Sequence, residues 1–173
     1  INGNCRVIPV EVFETRYPWI VEEYALRQDS GGAGEHRGGL SISKTMLCTG
    51  DVMISQMTNK HIRTSWGLKE GKESISGATL FQAKGANDWQ TIKQAFGKVS
   101  SSKYSNVPIH PDERVSVKAP GGGGFGSPAK RDHAAIVEDV LEGYISREKA
   151  AEDYGFEESW IAKYAPGEVA AAE

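Results

Sequence analysis

No apolar run in this 173-residue chain approaches the roughly 20 residues that a membrane-spanning helix needs. Its opening residues do not carry the pattern of a secretory signal. Cationic side chains are neither abundant nor gathered: 20 Lys and Arg face 23 Asp and Glu, for a net charge of −3, and they are scattered along the chain. A basic stripe for nucleic acid or a polybasic segment for anionic lipid is therefore excluded. Cysteine is nearly absent. Cys5 and Cys48 stand without CxxC spacing, so the expectation is two reduced, packed thiols in a cytoplasmic protein. The four histidines, His36, His61, His110 and His133, never fall four residues apart or beside carboxylates in ligand spacing, so no metal site is expected within the chain.

Glycine is what the chain has in quantity, in two clusters. One is Asp29–Gly39 (DSGGAGEHRGG); the other is Pro120–Pro128 (PGGGGFGSP). Ordering so much glycine costs more backbone entropy than any other residue type would, so something must pack close against it. Gly121, Gly123 and Gly126 spell GxGxxG between a strand-like and a helix-like segment. A dinucleotide site also needs a second parallel strand and an acidic residue about 20 residues on, whereas here a helix follows the helix. A phosphate loop needs Lys and Ser/Thr after the last glycine, whereas this chain has Gly126-Ser127-Pro128. The reading is a tight approach to neighbouring strands or to a partner subunit. Asp29-Ser30-Gly31-Gly32 looks like a trypsin-type nucleophile segment, but every histidine follows Ser30 instead of preceding it. A turn is expected there, with Asp29 and Ser30 capping backbone N–H groups and the glycines at positive φ.

Alternation of Ile8, Val10 and Val12 predicts a first strand. Extended segments are expected over 19–26 and over 40–48, the latter with Leu40, Ile42, Met46 and Cys48 on one face. Gly50-Asp51 reads as a hairpin turn leading into Val52–Met57. Further along come a short strand at 75–81, a turn or two of helix at 89–96, a polar loop at 100–106 and a strand through Val115, Val117 and Ala119. Asp132 caps a helix striped with Ala135, Ile136, Val140 and Leu141, and Ser146 caps a second one closed by Gly155. The expected fold class is α+β, mainly a β body with two C-terminal helices. Its expected organisation is a β-rich body over 1–128, a helical segment of the same domain over 129–165 and a flexible tail over 166–173. Trp19, Trp66, Trp89 and Phe125 fall in loop-like segments and are expected to line an apolar docking surface, with poor solubility for the chain by itself.

The run Val10-Glu11-Val12-Phe13-Glu14-Thr15-Arg16-Tyr17-Pro18-Trp19, the cluster Leu26–Gly39, Trp66-Gly67-Leu68, Pro120–Gly126 and the closing Ala151-Glu152-Asp153-Tyr154-Gly155 together resemble the hydantoinase B family. Within it, Phe96–Val107 (FGKVSSSKYSNV) is more similar to the ketone carboxylase branch than to the amidohydrolases. Members are several times longer, and the likeness is to their C-terminal part. The start at Ile1, without Met, suits a split subunit or a fragment.

The resemblance implies a piece of an ATP-dependent, multisubunit ketone carboxylase (a ligase), acetone- or acetophenone-like, that is not active as a lone chain. Alternatives are the matching piece of a hydantoinase or 5-oxoprolinase, or a non-catalytic scaffold. It implies no cofactor on this chain, with ATP and a divalent metal held by partners. Those partners are a hydantoinase A-like ATP-binding subunit and the N-terminal portion of a hydantoinase B-like subunit, and the small molecules are a ketone and bicarbonate. The catalytic residues stay unassigned. Asp29, Ser30, His36, Arg37 and Arg16 are the candidate substrate or interface loop, with either arginine able to balance phosphate or carboxylate charge. Gly31, Gly32, Gly34, Gly38, Gly39, Gly121, Gly122, Gly123, Gly124 and Gly126 are the structural glycines.

Overall fold

Pro9 sets the first element of the computed structural model, which describes residues 7–165. It stands at the N-cap of helix α1 (Val10–Arg16), where a missing N–H costs nothing. The strand expected from Ile8, Val10 and Val12 is thus a helix. The same letters also carry a helical face: Val10, Phe13 and Glu14 are half-buried, while Val12 is exposed. Glu11 in the first turn and Arg16 in the last complement the helix dipole. Tyr17, which precedes Pro18, is extended (φ −126°, ψ 148°) and ends the helix.

Two compact units divide the described residues. The first comprises 7–24, Ser43–Asn59 and Ala78–Val117. Most strand residues lie in it: β1 (Trp19–Leu26), β2 (Ile42–Cys48), β3 (Val52–Met57), β4 (Ala78–Gln82), β5 (Gln90–Thr91), β6 (Lys103–Ile109) and β7 (Arg114–Lys118). One sheet has the order β1-β2-β7-β4-β5 and the other pairs β3 with β6. The Val52–Met57 segment therefore does not return along β2 as a hairpin. It pairs antiparallel with Lys103–Ile109, whose first four residues fall in the polar loop expected over 100–106. Val107 and Ile109 are fully buried in β6, and these two apolar positions outweigh the serines before them. In β2 the buried side chains are Ser43, Thr45 and Cys48, while Ile42 is exposed, so the inward face differs from the expected one. Thr45 Oγ1 lies 3.0 Å from both Glu23 Oε2, to which it donates, and Ser116 Oγ, which makes burial of that hydroxyl tolerable. The core joins Trp19, Cys48, Phe81, Ile92, Val107, Ile109 and Val115. Burial pushes the Cys48 thiol up, in keeping with an inert packed sulfur. Cys5 lies outside the described residues. Helix α2 (Ile92–Phe96) opens on a Thr91–Gln94 capping box and closes on Gly97 in the left-handed region.

The second unit comprises Ala25–Ile42, Lys60–Gly77 and 118–165. Helix α3 (His133–Leu141) is capped by Asp132 and α4 (Arg147–Tyr154) by Ser146. A short third helix, α5 (Ser159–Tyr164), joins the two that the sequence indicated. Ile136, Val137, Val140, Ile145, Ala150 and Phe156 form their core. The architecture is α+β with a mainly β body. No helix among the described residues is long and apolar enough to cross a membrane. The expected tail over 166–173 falls outside the described residues.

Candidate functional site

In the second unit the two glycine clusters are laid against each other and against 66–75, backbone on backbone. Gly32 N donates to Gly122 O (2.8 Å) and Gly122 N to Gly39 O (2.9 Å). Lys72 N donates to Ala33 O (2.7 Å), and Gly124 N returns to Lys72 O (3.0 Å). Leu68 N donates to Gly124 O (2.9 Å), while His36 and Phe125 exchange both of their bonds at 2.9 Å. Three segments distant in sequence thus satisfy one another's main chain without a regular sheet. Side chains would prevent it: a Cβ on Gly124 would overlap the Ala33 carbonyl, and one on Gly38 would overlap the Gly122 carbonyl. Positive φ is not the reason, because among the clustered glycines only Gly126 (75°) has it. The turn forms instead on Asp29, at φ 61°, so the expected left-handed glycines at Gly31 and Gly32 are corrected.

This interlock bears on nucleotide binding. A phosphate cradle needs free N–H groups pointing at the anion. The N–H groups of Gly121, Gly122, Gly124, Phe125 and Gly126 are all donated to backbone carbonyls. These five N–H groups are therefore not free to face an anion. Among the described residues, no group of three or more His, Cys, Asp or Glu is arranged to hold a metal.

The candidate loop residues have defined positions. Asp29 Oδ1 accepts from Ser146 N (2.7 Å), fastening the loop to the start of α4. Ser30 is fully buried; its Oγ donates to Arg27 O (2.6 Å) and accepts from Ser41 N (2.8 Å), a bracing role with no room for nucleophilic attack. His36 is exposed, its ring 6.1 Å from that of Phe125. Arg37 turns inward: Nε and Nη2 each reach Asp139 at 3.0 Å, and Nη1 donates to Gly38 O (2.9 Å). Each of its three guanidinium nitrogens donates one bond within the chain. Arg131 Nη2 joins the same carboxylate at 2.6 Å, so two guanidinium groups share one carboxylate in a largely buried cluster. Arg131 also donates to Glu35 O (3.2 Å) and lies over the Tyr154 ring at 5.8 Å. Arg16, by contrast, sits exposed in the last turn of α1, in the first unit.

Asp139 and Arg131 had a signal that the sequence reading passed over. Asp139 occupies a buried position of α3 among Ile136, Val137 and Val140, and a carboxylate on an apolar stripe calls for a cation. Of the four anchors expected at the surface, Trp66, Trp89 and Phe125 are exposed, whereas Trp19 is a core residue that opens β1.

Residues 1–128 match the model of the hydantoinase B/oxoprolinase family. An uncharacterized protein of Methanocaldococcus jannaschii is 36% identical over 84% of this chain and 24% of its own length. The caprolactamase subunit beta of Pseudomonas jessenii is 32% identical over 84% of this chain and 24% of its own. The crystal structure of that organism's ATP-dependent caprolactamase superposes with a TM-score of 0.72 over 95% of this chain and 28% of that one, at 23% identity. Nucleotide-free acetone carboxylase superposes with the same TM-score, 0.72, over 99% of this chain and 27% of that one, at 19% identity. The chain spans about a quarter of the length of these relatives. Equal superposition shows a shared fold and does not separate carboxylase from hydrolase.

Proposed function

Because the chain belongs to the hydantoinase B/oxoprolinase family, we propose that it is the C-terminal portion of a hydantoinase B-type subunit in an ATP-dependent, multisubunit enzyme acting on a carbonyl substrate. ATP and a divalent metal are bound elsewhere, on a hydantoinase A-like subunit and the N-terminal portion of the hydantoinase B-like subunit. The observation that carries this reading is the interlocked glycine bundle, in which the N–H groups of Gly32, Gly38, Gly121, Gly122, Gly124, Phe125 and Gly126 donate to backbone carbonyls. It supports a rigid wall and argues against a phosphate cradle. Such a wall suits chemistry through phosphorylated intermediates, which a site must shield from water. Asp29, Ser30, His36 and Arg37 then serve this portion by bracing or bordering the wall, with Arg16 on α1 as a separate candidate.

The reaction favoured is ATP-driven opening of a cyclic amide, supported by the 32% identity to a caprolactamase subunit. Carboxylation of an acetone- or acetophenone-like ketone with ATP and bicarbonate is the second reading, favoured by the carboxylase-like segment Phe96–Val107. The complex co-purified through this subunit should be assayed for nucleotide hydrolysis with caprolactam, hydantoin or 5-oxoproline, and for fixation of labelled bicarbonate with acetone or acetophenone. Amide-dependent turnover supports the first reading and ketone-dependent fixation the second. An intact complex inert to both sets overturns both and leaves the scaffold role.

A further inference from the structure

A cavity of about 220 Å³ in the first unit is lined from both of its sheets. Its apolar wall is Trp19, Met46, Ile54, Val115 and Val117, and its polar groups are Ser55, Gln56 and Tyr104. Among the described residues, no carboxylate, ammonium, guanidinium or imidazole lines it. A charged ligand would lose its hydration there without a partner.

The polar end is organised by a β-bulge. Ile54 pairs with Val107, but Gln56 pairs with Tyr104, so β6 carries one extra residue between these pairs. Asn106, at φ 52°, takes up the irregularity, and its N–H donates to Ser55 Oγ at 3.2 Å. Regular pairing would have set Ser105 opposite Gln56; bulges re-aim side chains in this way beside functional sites. The re-aimed Tyr104 hydroxyl donates to Gln56 Oε1 at 2.6 Å, and Thr79 Oγ1 donates to the same oxygen at 2.8 Å. Both donors fix the amide and use up its oxygen. What Gln56 still offers is its NH₂ group, for which no acceptor is found among the described residues. With its oxygen taken by two hydroxyls, Gln56 presents its NH₂ group as a donor at the edge of a largely apolar pocket.

We propose that this cavity binds a small uncharged carbonyl compound, of the size of one six-membered ring, with its oxygen accepting from Gln56 Nε2 and its carbon skeleton against Trp19, Ile54 and Val117. Size agrees: a dry apolar cavity of roughly 150 Å³ accommodates benzene, and this one adds room for an oxygen substituent. The inference goes beyond the reaction proposed above, since binding here needs neither ATP nor turnover.

The test uses the assembled complex without nucleotide, with cyclohexanone as the probe in ligand-observed NMR and titration. Q56E keeps an oxygen for Tyr104 and Thr79 but exchanges the donor for an acceptor; V117F fills the apolar end. Unchanged melting and unchanged subunit composition establish that each variant is folded. Saturable binding at one site per subunit is expected, weakened at least tenfold by either substitution, with Q56E gaining affinity for cyclohexylammonium. The assignment is overturned if the folded wild-type complex does not bind cyclohexanone, or if both variants bind it equally well. It is also overturned if a structure of the complex shows another segment of the subunit filling the cavity. Each of these results is independent of the ATP assays, so failure here leaves the proposed reaction standing.

Discussion

Arg37 holds Asp139 through two hydrogen bonds of 3.0 Å each, across 102 residues of sequence, and Arg131 supplies a third bond to the same carboxylate. The carboxylate is what allows two guanidinium groups to be packed together in a largely buried place. This relationship ties the first glycine cluster to helix α3.

Asp139→Asn should therefore be the most damaging single change in the cluster. It leaves two cations facing each other, and breaking a buried pair costs about 3–5 kcal/mol. Arg37→Lys keeps the charge and loses the two-pronged geometry, at a cost of about 1.5–3 kcal/mol. Chemical denaturation of the two variants checks both the size and the order. An Asn variant as stable as the parent would show that the carboxylate is not the keystone.

Neighbouring glycines give a matched comparison. A methyl on Gly38 meets the Gly122 backbone, which cannot step aside, whereas a methyl on Gly39 meets nothing within 4 Å. Gly38→Ala should cost roughly 3 kcal/mol or more through overpacking, and Gly39→Ala should be neutral or slightly stabilising by stiffening the unfolded chain. Melting temperatures of the pair decide the matter, and equal losses would mean that glycine serves conformational freedom here instead of close approach.

Burial pushes the Tyr104 hydroxyl up to about 12. A group raised in the folded state contributes stability that is intact below its unfolded value near 10 and is lost as pH climbs toward 12. Ultraviolet titration should show a late-ionising tyrosine that Tyr104→Phe removes, and the variant's melting temperature should fall less between pH 10 and 12. If the late phase survives the substitution, it belongs to another tyrosine, with Tyr154, also raised by burial, the first to examine.

His110 Nδ1 lies 2.7 Å from Asp51 Oδ1, and this hydrogen bond raises the imidazole above its ordinary value. The pair's contribution is complete below the ordinary histidine range and disappears as pH rises through the raised value. Both groups are exposed, so the effect on stability is small. Histidine proton shifts followed against pH should show His110 titrating late, and Asp51→Asn should return it to about 6.5.

Local chemistry was readable wherever a residue acts on its own neighbours. Asp132 and Ser146 cap the helices that the spacing indicated, and Gly155 closes the second in the left-handed region. Family-like motifs led to the hydantoinase B assignment. At Val10–Arg16, though, the letters fit both periods, and Pro9 together with packing of Phe13 chose the helix. Over 100–106 the serines argued for a loop, yet residues from Lys103 onward join Val107 and Ile109 in a strand paired with Val52–Met57.

The sequence by itself determined the family, the helix caps and the need for two glycine clusters to lie against something, because each depends on a residue's own backbone limits or on short spacing. Only the tertiary structure decided that the clusters lie against each other, that Arg37 spends its charge on Asp139, and that a bulge turns Tyr104 toward Gln56. Those outcomes depend on which distant segments meet, and that is set by satisfying buried main-chain and charged groups across the whole fold at once.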